Sequence, residues 1–571
     1  MLKRNTLLHA MKVAISHGTH PVRGAAQVHG RRWKAAGSIA LAALVAACGG
    51  GGGSDATSTS PSVDVACKAA AVAPLRVESY RPTVVQAKAT SAAARARMPA
   101  GAPLRTVRLE ALGADEGTAA DRPGVQTIGP ARSLPQSASA QAMAALLTWQ
   151  TFEGGSQVAA LRFQSAGAQG LRLGIVVEQL PAAAQLRFYT PDGAVVHGVA
   201  GSEILTTIAR NQQAGDTSAA ARTYWSPDVG GDTVVFEIEL PAGTDPATLR
   251  IAVPKLSHFR VAPQALADAL AGAASTTAAS SGSAAIVPKA GTADFCEVDT
   301  ACNADYANES NAVARMLFVD QGTSYLCTGT LLNDTASSGT PYFLSARHCI
   351  PSQTVASTLT TYWFFRAAAC NGGSMDTRAS TLKGGATLLA TDSATDTALM
   401  RLNDAPPSGA VFAGWDAHTP LLGQAAALLH HPNGDWQKLS LGSLQQFSSC
   451  TLSADGGSFS CSGAASVSDN YLGVQWSSGA TAPGSSGGAL FTGASGARYL
   501  VAHLTAGSAS CSVSGGMGFL GRFELAFAAG LKQWLGAAKS ARAEGAQLPR
   551  SPRPPPTPGG CGPRPPGGCP P

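Results

Sequence analysis

Residues 314–349 read ARMLFVDQGTSYLCTGTLLNDTASSGTPYFLSARHC. Within them ARMLFVD, YLCTGTLLN and PYFLSARHC are short apolar or alternating runs, and each reads as a strand. Strand-like runs recur to about residue 536, as TYWFFRA, TALMRLN, AAALLHH, YLGVQW and YLVAHL. Such spacing predicts a barrel or a sandwich. Phe523 to Leu535 (FELAFAAGLKQWL) then reads as a terminal amphipathic helix.

Outward from this region the chain changes character. From about 148 to 256 runs such as VAALRFQSA, LRLGIVVEQL and DTVVFEIELPAG are divided by Gly, Pro, Asp and Asn, and Thr190-Pro191-Asp192-Gly193 is a turn signal. They predict an all-β sandwich with no cluster of His, Cys or carboxylates. The expected segments are a signal peptide over 1–47, a Gly/Ser-rich tether over 48–67 and a β-rich pro- or accessory domain over 68–262. A short helix (263–274) and a Ser/Thr/Ala/Gly linker follow to 293, then a strand-rich domain over 294–545 and a Pro/Gly-rich tail over 546–571.

The whole chain has 571 residues, which allows two to four domains. Its net charge is only +6, and no basic run sits beside aromatics, so a nucleic-acid role has no electrostatic footprint. A 45% apolar share with 13% charged residues argues against global disorder. No apolar run is long enough to span a bilayer. Ala35 to Ala47, after Arg31-Arg32-Trp33-Lys34, reads instead as the apolar core of a signal peptide, with Met11 an alternative start. Val45-Ala46-Ala47-Cys48 and the glycines after it resemble a bacterial lipobox. That resemblance implies acylation of Cys48, and Gly49 after it implies an outer-membrane address. The chain is therefore expected to be exported, as an outer-membrane or cell-surface lipoprotein that could also be released to the periplasm or medium. Twelve cysteines in an exported chain are expected to pair, and eight of them lie between 296 and 511.

Three segments carry chemistry: Ser345-Ala346-Arg347-His348-Cys349, Asp392 to Leu399 (DSATDTAL), and Pro483-Gly484-Ser485-Ser486-Gly487-Gly488-Ala489. A serine hydroxyl needs an adjacent base to become a nucleophile at neutral pH. An imidazole supplies it, and a carboxylate fixes the imidazole's tautomer. Glycines beside the serine leave N–H groups to hold an oxyanion. Asp396 is preferred over Asp392 as the carboxylate because an apolar strand follows it directly. The segment around Ser486 also fits the G-x-S-x-G elbow of α/β-hydrolases, but no Asp follows Ser486 and the helix-strand alternation is missing. His430-His431 lacks a third ligand nearby, so a structural role is expected and no metal.

Jointly these segments resemble the chymotrypsin-fold serine endopeptidases, and among them the bacterial lysyl endopeptidase family. The matching residues are Phe295 to Cys302 (FCEVDTAC), Cys327 to Leu331 (CTGTL), Tyr342 to Cys349, Ala413-Gly414-Trp415-Asp416, His430 to Asn433 (HHPN), Val474-Gln475-Trp476, Pro483 to Gly488 and Ser510-Cys511-Ser512. The resemblance implies an all-β, chymotrypsin-like double β-barrel with a C-terminal helix, behind the β-sandwich-like N-terminal domain. It implies His348 as base, Asp396 as orienting carboxylate, Ser486 as nucleophile, and the N–H groups of Gly484 and Ser486 as oxyanion donors. Ala480, Thr505, Ala506, Gly507 and Gly518 fall at its substrate-binding positions. It implies the disulfides Cys296–Cys511, Cys302–Cys370 and Cys327–Cys349. Cys450 and Cys461 lie outside the family set and are near enough in sequence to pair across a hairpin. Cys561 would pair with Cys569, leaving Cys67 alone.

Two departures modify the expectation. Many relatives in the wider fold carry Asp before the nucleophile, to receive a new N-terminal ammonium on activation; here Ser485 stands there, as in the lysyl endopeptidase group. Cys296–Cys511 would hold the N-terminal segment instead, with residues 68–290 as the pro-region of a zymogen. Lysine-cleaving relatives place an acid at the position of Gly518, and trypsin-like enzymes place one at Ala480. A buried lysine ammonium without a counter-charge costs several kcal/mol. The side chain before the scissile bond (P1) is thus expected to be neutral, small or apolar. The expected partners are protein or peptide substrates, and the membrane through the lipid anchor; no cofactor is implied and a monomer is expected. The competing readings are a non-catalytic binding module that kept the fold, and a structural surface protein built on the sandwich.

Overall fold

Between residues 106 and 259 the alternating runs form two stacked sheets. One orders Thr223–Trp225, Gly170–Gln179, Arg250–Phe259 and Ala131–Ser133. The other orders Thr106–Leu109, Gln157–Ser165, Thr233–Leu240, Gln185–Tyr189 and Val196–Ala200. Gly170–Gln179 is buried along most of its length: Leu171, Leu173, Ile175 and Val177 enter the sandwich core, and on the other face Arg172 Nη1 donates to Thr358 O at 3.1 Å while Gly174 lies under the Trp225 indole. The shared core includes Leu161, Phe163, Leu173, Ile175, Phe188, Phe236, Ile251 and Val253, with the Phe188 and Phe236 rings stacked at 5.1 Å. Helix Gly201–Gln213 adds Ile204 and Ile208, one turn apart on its buried face.

The computed structural model describes residues 76–82, 95–99, 101–113, 122–262, 293–452, 459–463, 466–494, 496–513 and 515–536. All belong to one compact unit, Ala73–Pro571. Cys48, Cys67, Cys561 and Cys569, the signal and tether, the 263–274 helix and the C-terminal tail lie outside the described residues.

Two barrels follow the sandwich. The first orders Ser380–Leu382, Thr360–Trp363, Val313–Asp320, Thr323–Leu332, Tyr342–Ala346, Thr397–Leu402 and Ala386–Asp392. Met316, Phe318, Leu331, Phe343, Trp363 and Met400 fill it. In the second, Ala425–His430, Lys438–Leu452, Tyr471–Ser478, Met517–Arg522, Ala497–Gly507 and Ala489–Ala494 pair in turn and close on the first of them. Closure removes the unpaired edges that short strands would otherwise expose. Val313, Leu344, Leu399, Leu429 and Phe491 belong to one apolar cluster joining strands of the two barrels. The final helical segment, Phe523 to Leu535, includes a π-helical stretch at Phe527–Leu531 and packs Phe523 and Phe527 on Trp415. The fold is all-β and chymotrypsin-like.

Two strands from the N-terminal region join the barrels rather than the sandwich. Arg76–Val77 pairs with Trp415–Asp416, where Arg76 Nε donates to Asp416 at 2.9 Å. Gln126–Gly129 pairs antiparallel with Thr323–Leu332. The four disulfides are Cys296–Cys511, Cys302–Cys370, Cys327–Cys349 and Cys450–Cys461. The last one does bridge a hairpin, with Cys450 opposite Cys461 in register.

Candidate active site

His348 follows strand Tyr342–Ala346 directly, and Cys349 ties the same turn to strand Thr323–Leu332 through Cys327. Asp396 sits in the turn between Ala386–Asp392 and Thr397–Leu402 at φ 54°, an uncommon conformation for a residue with a β-carbon. That conformation is held from both sides: Arg347 N donates to Asp396 O at 2.6 Å, and His503 Nε2 lies 3.0 Å from the same oxygen. The Asp396 carboxylate therefore faces His348. Its Oδ2 lies 2.6 Å from His348 Nδ1, and its Oδ1 accepts from His348 N at 2.9 Å. Burial opposes ionisation of Asp396 most strongly. The charge and hydrogen bond of His348 nonetheless hold its carboxyl below the usual range. Asp392, the competing carboxylate, instead closes its own turn by accepting from Ala394 N and Thr395 Oγ1.

Ser486 comes from the second barrel and is buried, with a relative exposure of 2%. Its turn is built from glycines at positive φ, Gly484 at 92° and Gly487 at 80°. A β-carbon on Gly487 would stand 2.2 Å from Thr328 O, so close packing as well as conformation requires glycine there. Thr328 Oγ1 donates to Gly484 O at 2.9 Å, Thr328 N donates to Ser486 O at 2.8 Å, and Gly487 N donates to Leu504 O at 2.7 Å. The serine turn is thereby locked to both barrels. Ser486 Oγ donates to Thr505 O at 3.4 Å, while His348 Nε2 has no hydrogen-bond partner among the described residues. The His348 imidazole and the Asp396 carboxylate are joined; the Ser486 hydroxyl is bonded to Thr505 O instead of to the imidazole.

Ser485 Oγ lies 2.8 Å from His430 Nδ1, and His430 Nε2 lies 3.0 Å from Ser440 Oγ. Burial pushes the His430 pKa down to about 3, so the ring is neutral and acts as a strut behind the serine turn. His431 is equally buried, lowered to about 3, and bound to Asp435 O through Nδ1 at 2.9 Å. Neither belongs to a group of three metal-ligating side chains among the described residues. The group that does occur, Cys327, His348 and Cys349, contains two sulfurs already joined in a disulfide.

Of the substrate-binding candidates, Thr505 touches Ser486 through its carbonyl oxygen. Gly507 pairs with Gly518, and Gly518 pairs with Val474. Thr505 is fully buried, Ala506 partly so and Gly507 exposed. A β-carbon on Gly518 would stand 2.7 Å from the Trp476 indole, so no side chain fits there unless that ring moves. Ala480 is buried, its carbonyl accepting from Ser440 Oγ at 2.7 Å and its N–H serving the Glu297 carboxyl. Burial pushes Glu297 up to about 8. At neutral pH this acid is protonated and supplies no counter-charge.

Three contributors were not singled out in the sequence. Glu297 stood inside the FCEVDTAC match with no sign of what it would face. Arg122 and Gly124 belong to the N-terminal region, yet a β-carbon on Gly124 would lie 2.3 Å from Ser486 Oγ and 3.1 Å from His348 Nε2. Pro123-Gly124 is a readable turn dipeptide, but nothing local says that it docks on residues some 360 positions away.

The family model described as the lysyl endopeptidase C-terminal domain matches residues 290–518, and that described as the lysyl endopeptidase N-terminal domain matches residues 100–260. The lysyl endopeptidase of Pseudomonas aeruginosa is 33% identical over 363 residues, which is 62% of this chain and 69% of that protein. Among solved structures, the HtrA-type protease AlgW with tripeptide aligns at 20% identity and TM-score 0.27, over 39% of this chain and 60% of its own. The active form of the Rv3671c protease from M. tuberculosis aligns at 15% identity and TM-score 0.28, over 46% of this chain and 96% of its own.

Proposed function

This chain belongs to the lysyl endopeptidase family and is a serine endopeptidase, and from that premise we propose that it cleaves peptide bonds through His348, Asp396 and Ser486. The observation that carries the assignment is the His348 Nδ1–Asp396 Oδ2 contact of 2.6 Å, with Nε2 and Ser486 Oγ both within reach of one point in the cleft. Catalysis requires the Ser486 hydroxyl to leave Thr505 O for His348 Nε2. His348 takes its proton as Oγ attacks the scissile carbonyl, and Asp396 stabilises the imidazolium. The N–H groups of Gly484 and Ser486 hold the tetrahedral oxyanion, a contribution of about 3 kcal/mol per donor in such sites. Collapse expels the amine, which takes the proton from His348. Water, activated by the same base, then hydrolyses the acyl-enzyme.

The preferred P1 side chain is neutral, small or apolar, rather than lysine. Gly518 and Ala480 offer no charge, Trp476 crowds the first of them, and Glu297 is protonated at neutral pH. Residues 68–262 serve as a pro- or accessory domain. The enzyme acts outside the cytoplasm, as expected for four disulfides, and is tethered through acylated Cys48. Peptide-library digestion read by mass spectrometry, with the Ser486→Ala variant alongside, tests both parts. Cleavage by both proteins alike would refute the nucleophile, and a dominant lysine at P1 would refute the specificity. A non-catalytic binding module would show no cleavage by either folded protein even after the pro- or accessory domain has been removed.

A further inference from the structure

Residues 122–129 run along the mouth of the site. Gln126 stands opposite Leu326, Thr127 opposite Tyr325 and Gly129 opposite Ser324, so the segment adds a strand to the first barrel. Val125 is buried in the apolar cluster that holds Tyr325, Cys327 and Cys349, beside the base. At Val125 the chain reverses. Val125 N donates to Arg122 O at 3.3 Å, with Pro123 and Gly124 at the central positions and Gly124 at φ 78°, the pattern of a type II turn. The tip of this turn faces Ser486. Gly484 N, one of the two expected oxyanion donors, donates to Gly124 O at 2.8 Å. Arg122 clamps the turn from the other side: Nη1 meets Asp320 Oδ2 at 2.7 Å, Nη2 donates to His348 O at 2.5 Å, and the guanidinium lies 4.9 Å over the Tyr325 ring.

We propose that the Arg122–Val125 turn is a built-in plug of the active site, and that the chain is latent until the turn is withdrawn. The proposal rests on the reading of Ser486, His348 and Gly484 given above. The plug occupies one of the two expected oxyanion donors and stands against both Ser486 Oγ and His348 Nε2, yet resists cleavage. A peptide to be cut must cross the nucleophile extended, whereas here the chain bends back within two residues of the carbonyl that Gly484 holds. Only glycine can stand at the tip, since any β-carbon there would strike Ser486 and strain a positive φ. The plug is also anchored to the sandwich. Directly after it, Ala131–Ser133 pairs with Arg250–Phe259, and Ser257 Oγ donates to Gly129 O at 2.8 Å and shares a hydrogen bond of 2.8 Å with Ser324 Oγ. Displacing the sandwich would therefore draw the turn out.

The test is the rate at which the full-length chain, verified intact by mass, is labelled by a fluorophosphonate, which transfers its phosphonyl group to Ser486 Oγ with loss of fluoride. Gly124→Val cannot seat the turn and is expected to label about 10-fold faster or more, as for loss of a docked segment worth one decade in its equilibrium. Arg122→Ala keeps the glycine, loosens only the clamp, and is expected to label a few-fold faster; it serves if Gly124→Val fails to fold. Equal, rapid labelling of wild type and both variants would overturn the plug while leaving the nucleophile standing. No labelling of any folded form would overturn the reading of Ser486, and the plug with it.

Discussion

Glu297 makes the sharpest claim about pH. Its carboxyl is buried against the Ala480 backbone, 3.8 Å from the neutral His430 ring, and burial lifts its pKa from 4.5 to about 8. In the unfolded chain it titrates near the ordinary value. Between those two pH values the folded protein binds more protons, so stability falls as pH rises, and the loss is complete above about pH 8. At about 1.36 kcal/mol per unit, the shift corresponds to roughly 5 kcal/mol. Glu297→Gln keeps an acceptor for Ala480 N–H and cannot ionise. Relative to wild type, it should gain little at pH 4 and on the order of 5 kcal/mol at pH 9. For a domain of this size that is about 10–20 °C in unfolding temperature. The assay is differential scanning calorimetry of the full chain and the variant across pH 4 to 9. Taking the difference between them cancels every other titrating group. A difference that stayed flat across the range would refute the reasoning.

Three further outcomes follow from the site. Asp396→Asn should lower kcat about 10⁴-fold in peptide hydrolysis by the unplugged Gly124→Val enzyme, with KM little changed, because Asn presents the wrong partner to Nδ1. Gly518→Asp should not by itself create lysine cleavage, since the new carboxylate would meet the Trp476 ring; a library digest in which lysine became dominant would contradict that crowding. Replacing Cys302 and Cys370 by Ser should destabilise the domain by about 2–5 kcal/mol in denaturant unfolding without altering the P1 profile.

The serine turn and the His-Cys strand end were legible because each is a local backbone requirement. Glycine at Gly484 and Gly487 answers positive φ and close approach, and such demands leave their mark at single positions. The same holds for the alternating strands, whose period names the buried face before any partner is known. Asp396 over Asp392 was partly legible, through the apolar strand that follows, but its orientation depends on Arg347 and His503 reaching one carbonyl. Tertiary structure alone decided the remainder. Gly518 faces an indole only because strands Tyr471–Ser478 and Met517–Arg522 pair in that register. Glu297 changes its charge only because folding buries it. Gly124 meets Ser486 only because an N-terminal strand pairs with the stretch of Thr323–Leu332 that Tyr342–Ala346 leaves unpaired, and the free energy of that docking is spread over surfaces brought together by the whole fold.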